Sequence, residues 1–182
     1  CGLSLSLGAE IMTARQGLRA ATVEDAQALA EIYNYYIVDT IITFEEEPID
    51  STEMANRIAE VTSKFAWIVW EENSEIVGYA YASAWKSRCA YRNSVETTVY
   101  LRNGQESKGI GSQLYMELLQ RLRSRGIHTA IGGIALPNVA SVKLHEKCGF
   151  EKVAEFVEVG FKFGQWINVG YWQCLLRSEI EE

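Results

Sequence analysis

The chain has 182 residues, 48% of them hydrophobic and 23% charged, with a formal net charge of −7. That length supports one domain with a sizeable core, and the composition is ordinary for a globular protein. The acidic balance excludes a general nucleic-acid binder, which needs a basic face to release phosphate counterions. Four cysteines (Cys1, Cys89, Cys148, Cys174) show no C-x-x-C pairing and no metal-ligand spacing to the two histidines. No metal site is therefore expected, and a reducing, cytoplasmic setting fits best. No apolar run approaches the ~18–20 residues that cross a bilayer, so no membrane partner is expected. Residues 1–11, before Met12, lack the basic start of a signal peptide. They read as a cloning remnant or a disordered upstream extension, with a single domain over 12–182.

Leu18–Ala21 reads as a short strand. Thr22, with Asp25 three residues on, is an N-cap signature for a helix from Val23 to about Tyr36, whose apolar positions Ala26, Leu29, Ala30, Ile32 and Tyr33 keep helical spacing. A second helix begins near Asp50-Ser51. FAWIVWEE and EIVGYAYASAW form a hairpin around Asn73-Ser74. SVETTVYL (94–101) is a third such strand, read as buried on both faces. Ile110, Leu114, Leu118 and Leu122 recur every fourth residue and predict a helix that Gly126 ends. HTAIGGIA (128–135) is a strand, Pro137-Asn138 opens a helix closed at Gly149, and KVAEFVEV and NVGYWQCLL are two late strands. The order β-α-α-β-β-β-α-β-α-β-β predicts an α/β domain, a mixed sheet of about seven strands with helices on both faces.

Between the 94–101 strand and the next helix lies a polar loop closed by Gly109 and Gly111. The first turn of a helix leaves N–H groups unpaired at the positive end of its dipole, and a glycine lets an anion reach them. Ser107 and Lys108 add donors, so residues 105–112 read as a phosphate cradle; a plain strand-to-helix turn is the alternative. Gly104 and Gly109 are followed by Ile110 and not Lys, which excludes a Walker A loop, and Leu114 stands where a dinucleotide fingerprint has its third glycine.

A Val-Tyr strand, a loop ending K-G-I-G-S and a following helix resemble the acetyl-CoA site of the GNAT acetyltransferases. LPNVASVKLHEKCGF resembles the second signature of that superfamily. EIYNYYI, TFEEEP, YASAWKSRCAY and GFKFGQWINVGYWQ narrow the resemblance to the phosphinothricin and methionine sulfone/sulfoximine acetyltransferases, over Leu18 to Gln173. The resemblance implies a single N-acetyltransferase domain that uses acetyl-CoA and no metal. Val99, Tyr100 and Leu101 would bond the pantetheine arm as an added strand, Ser107, Lys108, Gly109, Ile110, Gly111 and Ser112 would face the pyrophosphate, and Asn138 would hold another part of the cofactor. One departure is Glu106, where the superfamily has Gln or Arg; a carboxylate there points away or weakens binding, and Gln105 is a substitute.

Acetyl transfer to an amine needs a base, because amines are mostly protonated at neutral pH. By spacing alone Glu96, three residues before Val99, reads as an outward-facing strand carboxylate at a sheet edge; the resemblance, in which it occupies the position of the family's proposed base, reverses that reading. A Val99 N–H freed by a strand bulge would hold the oxyanion. His145 stands where many GNAT enzymes carry a tyrosine acid; it would protonate the thiolate, relay a proton, or serve structure only. Lys86, Arg88 and Arg92, in WKSRCAYR, suggest an anionic acceptor, a solvated turn between strands being the alternative, and the resemblance gives pocket roles to Lys86 and Arg88. With Tyr91, Phe44, Phe161, Lys162 and Trp166 they would line the pocket of a small amino acid with a tetrahedral head: phosphinothricin, methionine sulfone or methionine sulfoximine. Glu46 and the RNS after Tyr91 depart from the family pattern. The alternatives are another amine acceptor, or an acetyl-CoA-binding regulator without catalysis. The resemblance also implies a homodimer, with Trp67, Trp70, Tyr171 and Trp172 buried at its interface or in the core.

Overall fold

The computed structural model describes residues 17–176; the expectation for residues 1–11 lies outside them. The elements are β1 (Gly17–Ala20), α1 (Ala26–Asp39), α2 (Ser51–Thr62), β2 (Trp67–Glu72), β3 (Glu75–Ala84), β4 (Ser94–Leu101), α3 (Ile110–Ser124), β5 (Thr129–Leu136), α4 (Val139–Lys147), β6 (Glu151–Lys162) and β7 (Gln165–Leu175). Seven strands form one sheet in the order β1-β2-β3-β4-β5-β7-β6. Every neighbouring pair is antiparallel except β4 with β5. Among the described residues no helix is long and apolar enough to cross a membrane.

The leucine stripe of α3 meets one sheet face, where Leu114, Leu118 and Leu122 bury against Val77, Ala80, Ala82 and Val95. On the other face, α1 and α2 bury Leu29, Ile37, Met54 and Ile58 against Trp67, Val69, Tyr79 and Tyr100. Burying whole aliphatic side chains at ~1.5–3 kcal/mol each gives both layers their cohesion.

Three expectations are corrected. The first helix begins as a 3-10 turn at Val23–Asp25, where the Asp25 carboxylate takes the Thr22 N–H at 2.8 Å and both terminal nitrogens of Arg19 at 2.8 Å. It then runs on to Asp39, because Ile37 has a place in the core. β4 is not buried on both faces: Glu96, Thr98 and Val99 are half-exposed, because its partner β5 leaves it after three residues. β6 and β7 are longer than their hydrophobic runs, meeting at a two-residue Phe163-Gly164 turn with φ of 51° and 73°. A bulge hides β6's full length: its register skips from Phe156 to Gly160, so three residues face Asn168 alone.

Candidate active site

β4 and β5 pair only at Ser94–Thr129, Val95–Ala130 and Glu96–Ile131, then diverge. Strand geometry aims the backbone groups of alternate residues to opposite edges. Arg102 N–H donates to Val77 of β3 at 2.8 Å, so even-numbered residues of β4 face β3. The odd-numbered ones face the gap. Leu101 is already served there, its N–H meeting the Tyr36 hydroxyl at 3.3 Å and its carbonyl accepting from that hydroxyl at 2.7 Å. Of Val99, Tyr100 and Leu101, only Val99 therefore keeps both backbone groups open to the gap. No bulge is involved, since β3 and β4 stay in unbroken register from Gly78–Leu101 to Ala84–Val95. Divergence of β5, not a kink in β4, frees the donor.

A cavity of about 570 Å³ fills the gap, lined by Glu96 through Tyr100, Gly133, Ser141, His145, Phe44, Phe161 and Tyr171 among others. That size suits a small-molecule site. β4 leads from it straight into the glycine loop.

In that loop Gly104, Ser107 and Gly109 all have positive φ, of 84°, 64° and 79°. Gly109 caps α3 without a side-chain bond, and the first backbone bond of the helix is Gln113 to Gly109 at 3.2 Å. The N–H groups of Ile110, Gly111 and Ser112 have no backbone acceptor among the described residues. Unpaired amides at a dipole's positive end fit a diphosphate. Gly111 differs from its expected use, because its missing side chain faces inward: a Cβ there would lie 3.4 Å from Leu144 and 3.6 Å from Leu101. Those are ordinary contact distances, so the inward side has room for a methyl group, and it is the N–H of Gly111 that serves the loop. Lys108 donates to the Gln105 side-chain oxygen at 2.7 Å, so these two residues are engaged with each other. Glu106 is exposed; burial, with a smaller push from the Glu106 charge, takes the Tyr36 phenol up to about 12. Asn138 caps α4, its Oδ1 accepting from Ser141 N–H at 3.0 Å, which leaves its amide nitrogen to point elsewhere.

The Glu96 carboxylate lines the cavity, half-buried, with no hydrogen-bond partner among the described residues. Burial raises its pKa, and the positive charge of Lys86 opposes that rise. Gly133 makes room for it: a Cβ there would lie 3.3 Å from Glu96 Oε1 and 3.3 Å from the Tyr171 ring. Lys86 sits 4.8 Å over Trp85, whose ring packs edge-on to Tyr171 at 5.6 Å.

His145 is 4% exposed and held at both nitrogens. Nδ1 lies 2.8 Å from the Ser141 carbonyl; a carbonyl only accepts, so Nδ1 carries the proton. Nε2 then accepts from the Tyr115 hydroxyl at 3.0 Å, and Tyr115 accepts from Thr97 Oγ1 at 2.6 Å. Burial lowers the imidazole pKa and keeps the ring neutral. The line Thr97–Tyr115–His145 joins β4, α3 and α4 at the point where β5 leaves β4. Gly132 is part of it, since a Cβ there would overlap the imidazole.

The expected acceptor residues divide. Phe44 and Phe161 line the cavity. Lys86, Arg88 and Tyr91 are exposed, Arg88 capping the short turn Cys89–Tyr91 and Tyr91 ending it, and do not line it. Trp166 is exposed and packs on Phe161 at 4.9 Å. Lys162 is buried, with its ammonium on the Thr43 carbonyl, so it is walled off from the cavity it was expected to line. Thr97, Tyr115 and Tyr171 were missed. Tyr36 was missed as well. Each reads as core by its spacing, and only the sheet's divergence gives its hydroxyl or ring a place in the site.

A family model described as an acetyltransferase (GNAT) domain matches residues 18–169. A phosphinothricin N-acetyltransferase of Streptomyces coelicolor is 38% identical over 88% of this chain and 96% of its own length. An L-methionine sulfoximine/L-methionine sulfone acetyltransferase of Salmonella typhimurium is 32% identical over 87% of this chain and 94% of its own. The crystal structure of a GNAT-superfamily phosphinothricin acetyltransferase from Sinorhizobium meliloti, in complex with acetyl-CoA, superposes with a TM-score of 0.85 at 34% identity, covering 88% of each chain.

Proposed function

The chain belongs to the GNAT acetyltransferases, and from that premise we propose that it moves the acetyl group of acetyl-CoA onto the amino group of a small amino acid of the phosphinothricin, methionine sulfone or methionine sulfoximine kind. One observation carries the reading: an unpaired, half-buried carboxylate, Glu96, shares a cavity with the open backbone of Val99.

The amides of Ile110, Gly111 and Ser112 hold the diphosphate, and the Val99 carbonyl accepts from the pantetheine arm as from an added strand. Glu96 removes a proton from the incoming ammonium, directly or through water, and the neutral nitrogen forms its bond to the thioester carbon. A backbone N–H of β4, that of Val99, stabilises the oxygen as charge develops on it. The carbon–sulfur bond then breaks, sulfur leaves with the electron pair, and it takes up the second proton shed by nitrogen. Glu96 returns its proton to solvent. The committed Nδ1–H of His145 supports a positioning role for that residue, holding the cleft open through Tyr115, and not that of an acid with a spare proton. Phe44, Phe161 and Tyr171 enclose the acceptor's side chain, and Lys86 with Arg88 meets its carboxylate from the rim. The aromatic lining also suits ordinary hydrophobic L-amino acids, which form the second reading.

Thiol release measured across phosphinothricin, methionine sulfone, methionine sulfoximine and hydrophobic L-amino acids tests this. Release with one of the first three is the expected result. Release only with other amines overturns the acceptor, and tight acetyl-CoA binding without release from any amine overturns catalysis.

A homodimer belongs to the same reading. Trp67 and Trp172 are core residues, so the interface is sought elsewhere. The edge strand β6 exposes Val153, Phe156, Val157, Val159 and Phe161 along its length, a patch that a second copy would cover. A sedimentation mass of two chains is expected; a one-chain mass removes the dimer.

A further inference from the structure

Lysine is seldom buried without a charged partner, yet Lys162, at the end of β6, is 2% exposed. Its Nζ donates to the Thr43 carbonyl at 2.7 Å, across 119 residues of sequence. Thr43 is itself buried, and its hydroxyl meets the Tyr33 hydroxyl of α1 at 2.9 Å. The next residue, Phe44, rests its ring against Gly160, where an added Cβ would overlap it. The chain between α1 and α2 is thus clasped from both sides of one peptide, by α1 through Thr43 and by β6 through Lys162 and Gly160.

The clasped segment matters because Ile42, Thr43 and Phe44 line the cavity together with Val159, Gly160 and Phe161. The bulge in β6 brings those last three residues to the wall: the Glu158 N–H turns to Asn168 Oδ1 at 2.9 Å, with Glu158 at φ 53°. Glu46, four residues after Ile42, adds a favourable charge toward Lys162. None of these groups belongs to the glycine loop or to the Thr97–Tyr115–His145 line.

We propose that Lys162 is a positioning residue for the acceptor, a latch that fixes segment 42–44 as one wall of the acceptor cavity without touching the acceptor. This rests on the acceptor reading above. Two variants disturb the wall from different directions. Lys162→Met keeps the long stem and deletes the donor. Gly160→Ala leaves the Lys162 bond in place and displaces the Phe44 ring.

Two measurements decide it: separate KM values for the amino-acid acceptor and for acetyl-CoA, and hydrogen exchange of amides 41–47 in the ligand-free protein. In both variants the acceptor KM should rise on the order of tenfold, which for Lys162→Met is the equivalent of one hydrogen bond from a charged donor, while the acetyl-CoA KM stays within about twofold. Exchange at 41–47 should accelerate in Lys162→Met by a similar factor. A residue serving stability alone would move both KM values together, and that result overturns the latch. Unchanged exchange at 41–47 overturns it too, even when wild type acetylates none of the amino acids tried, so the two failures stay distinguishable. Should Lys162→Met not fold, Gly160→Ala carries the test, and an unaltered acceptor KM there refutes the proposal.

Discussion

Replacing Glu96 by Gln separates chemistry from architecture at a single atom. The amide fills the same space, and no hydrogen bond among the described residues is broken, because the carboxylate makes none. What disappears is a basic oxygen in a cavity that burial has already made unfavourable for charge. A positioned general base contributes about 10²–10⁴ in rate, so turnover at saturating acetyl-CoA should fall by that factor, equivalent to about 2.7–5.4 kcal/mol of barrier. Affinity for acetyl-CoA should be unchanged. Stability should move the other way. Burial raises the folded-state pKa of Glu96 above its ordinary 4.5, so the fold favours the protonated acid, and that contribution is present at low pH and lost as pH rises through the raised pKa. Glu96→Gln should therefore melt at or above wild type at pH 7, with the advantage gone near pH 4. In wild type the same shift places the acid limb of kcat/KM above the ordinary carboxylate value. Thiol-release kinetics from pH 5 to 9 and thermal melts at both pH values are the assays. Near-normal turnover, or a melting temperature lowered at pH 7, would refute the base assignment.

Two further substitutions probe the supporting parts. Gly109→Ala forces a side chain into φ 79°, which should destabilise by about 1–2 kcal/mol and weaken acetyl-CoA binding in calorimetry; unaltered binding would remove the loop from the cofactor site. Tyr115→Phe strands His145 Nε2 without its partner, while Thr97 Oγ1 still has the Ile131 carbonyl at 3.2 Å, at about 1–3 kcal/mol; that corresponds to a melting temperature lower by several degrees, and an unshifted melt would show the hydrogen-bonded line to be idle.

Element order and type were legible because hydrophobic period and turn residues dictate them locally: the every-fourth leucines of α3 and the Asn73-Ser74 turn needed no tertiary information. Glu96, the glycine loop, Phe44 and Phe161 were legible through their motifs. The rest depended on where β5 parts from β4, a non-local event with no marker in either strand's sequence. That parting selects Val99 over Tyr100, gives Tyr36 a backbone to cap, and makes a bulge unnecessary. Lys162 misled for a related reason. A lysine within an aromatic motif signals ligand contact, while its burial against Thr43 is decided by a segment 119 residues away.

β7 lies between β5 and β6 although it follows both in the chain. Until it arrives, β6 has no neighbour, β5 is bare along one side, and Tyr171 is absent from the cavity. A ribosome that has released everything up to Phe163 has therefore delivered Glu96 and the glycine loop, but not the strand that ties β6 to the rest of the sheet. A premature stop inside β7 removes two strands from the sheet for the loss of one, because β6 pairs with β7 alone among the described strands.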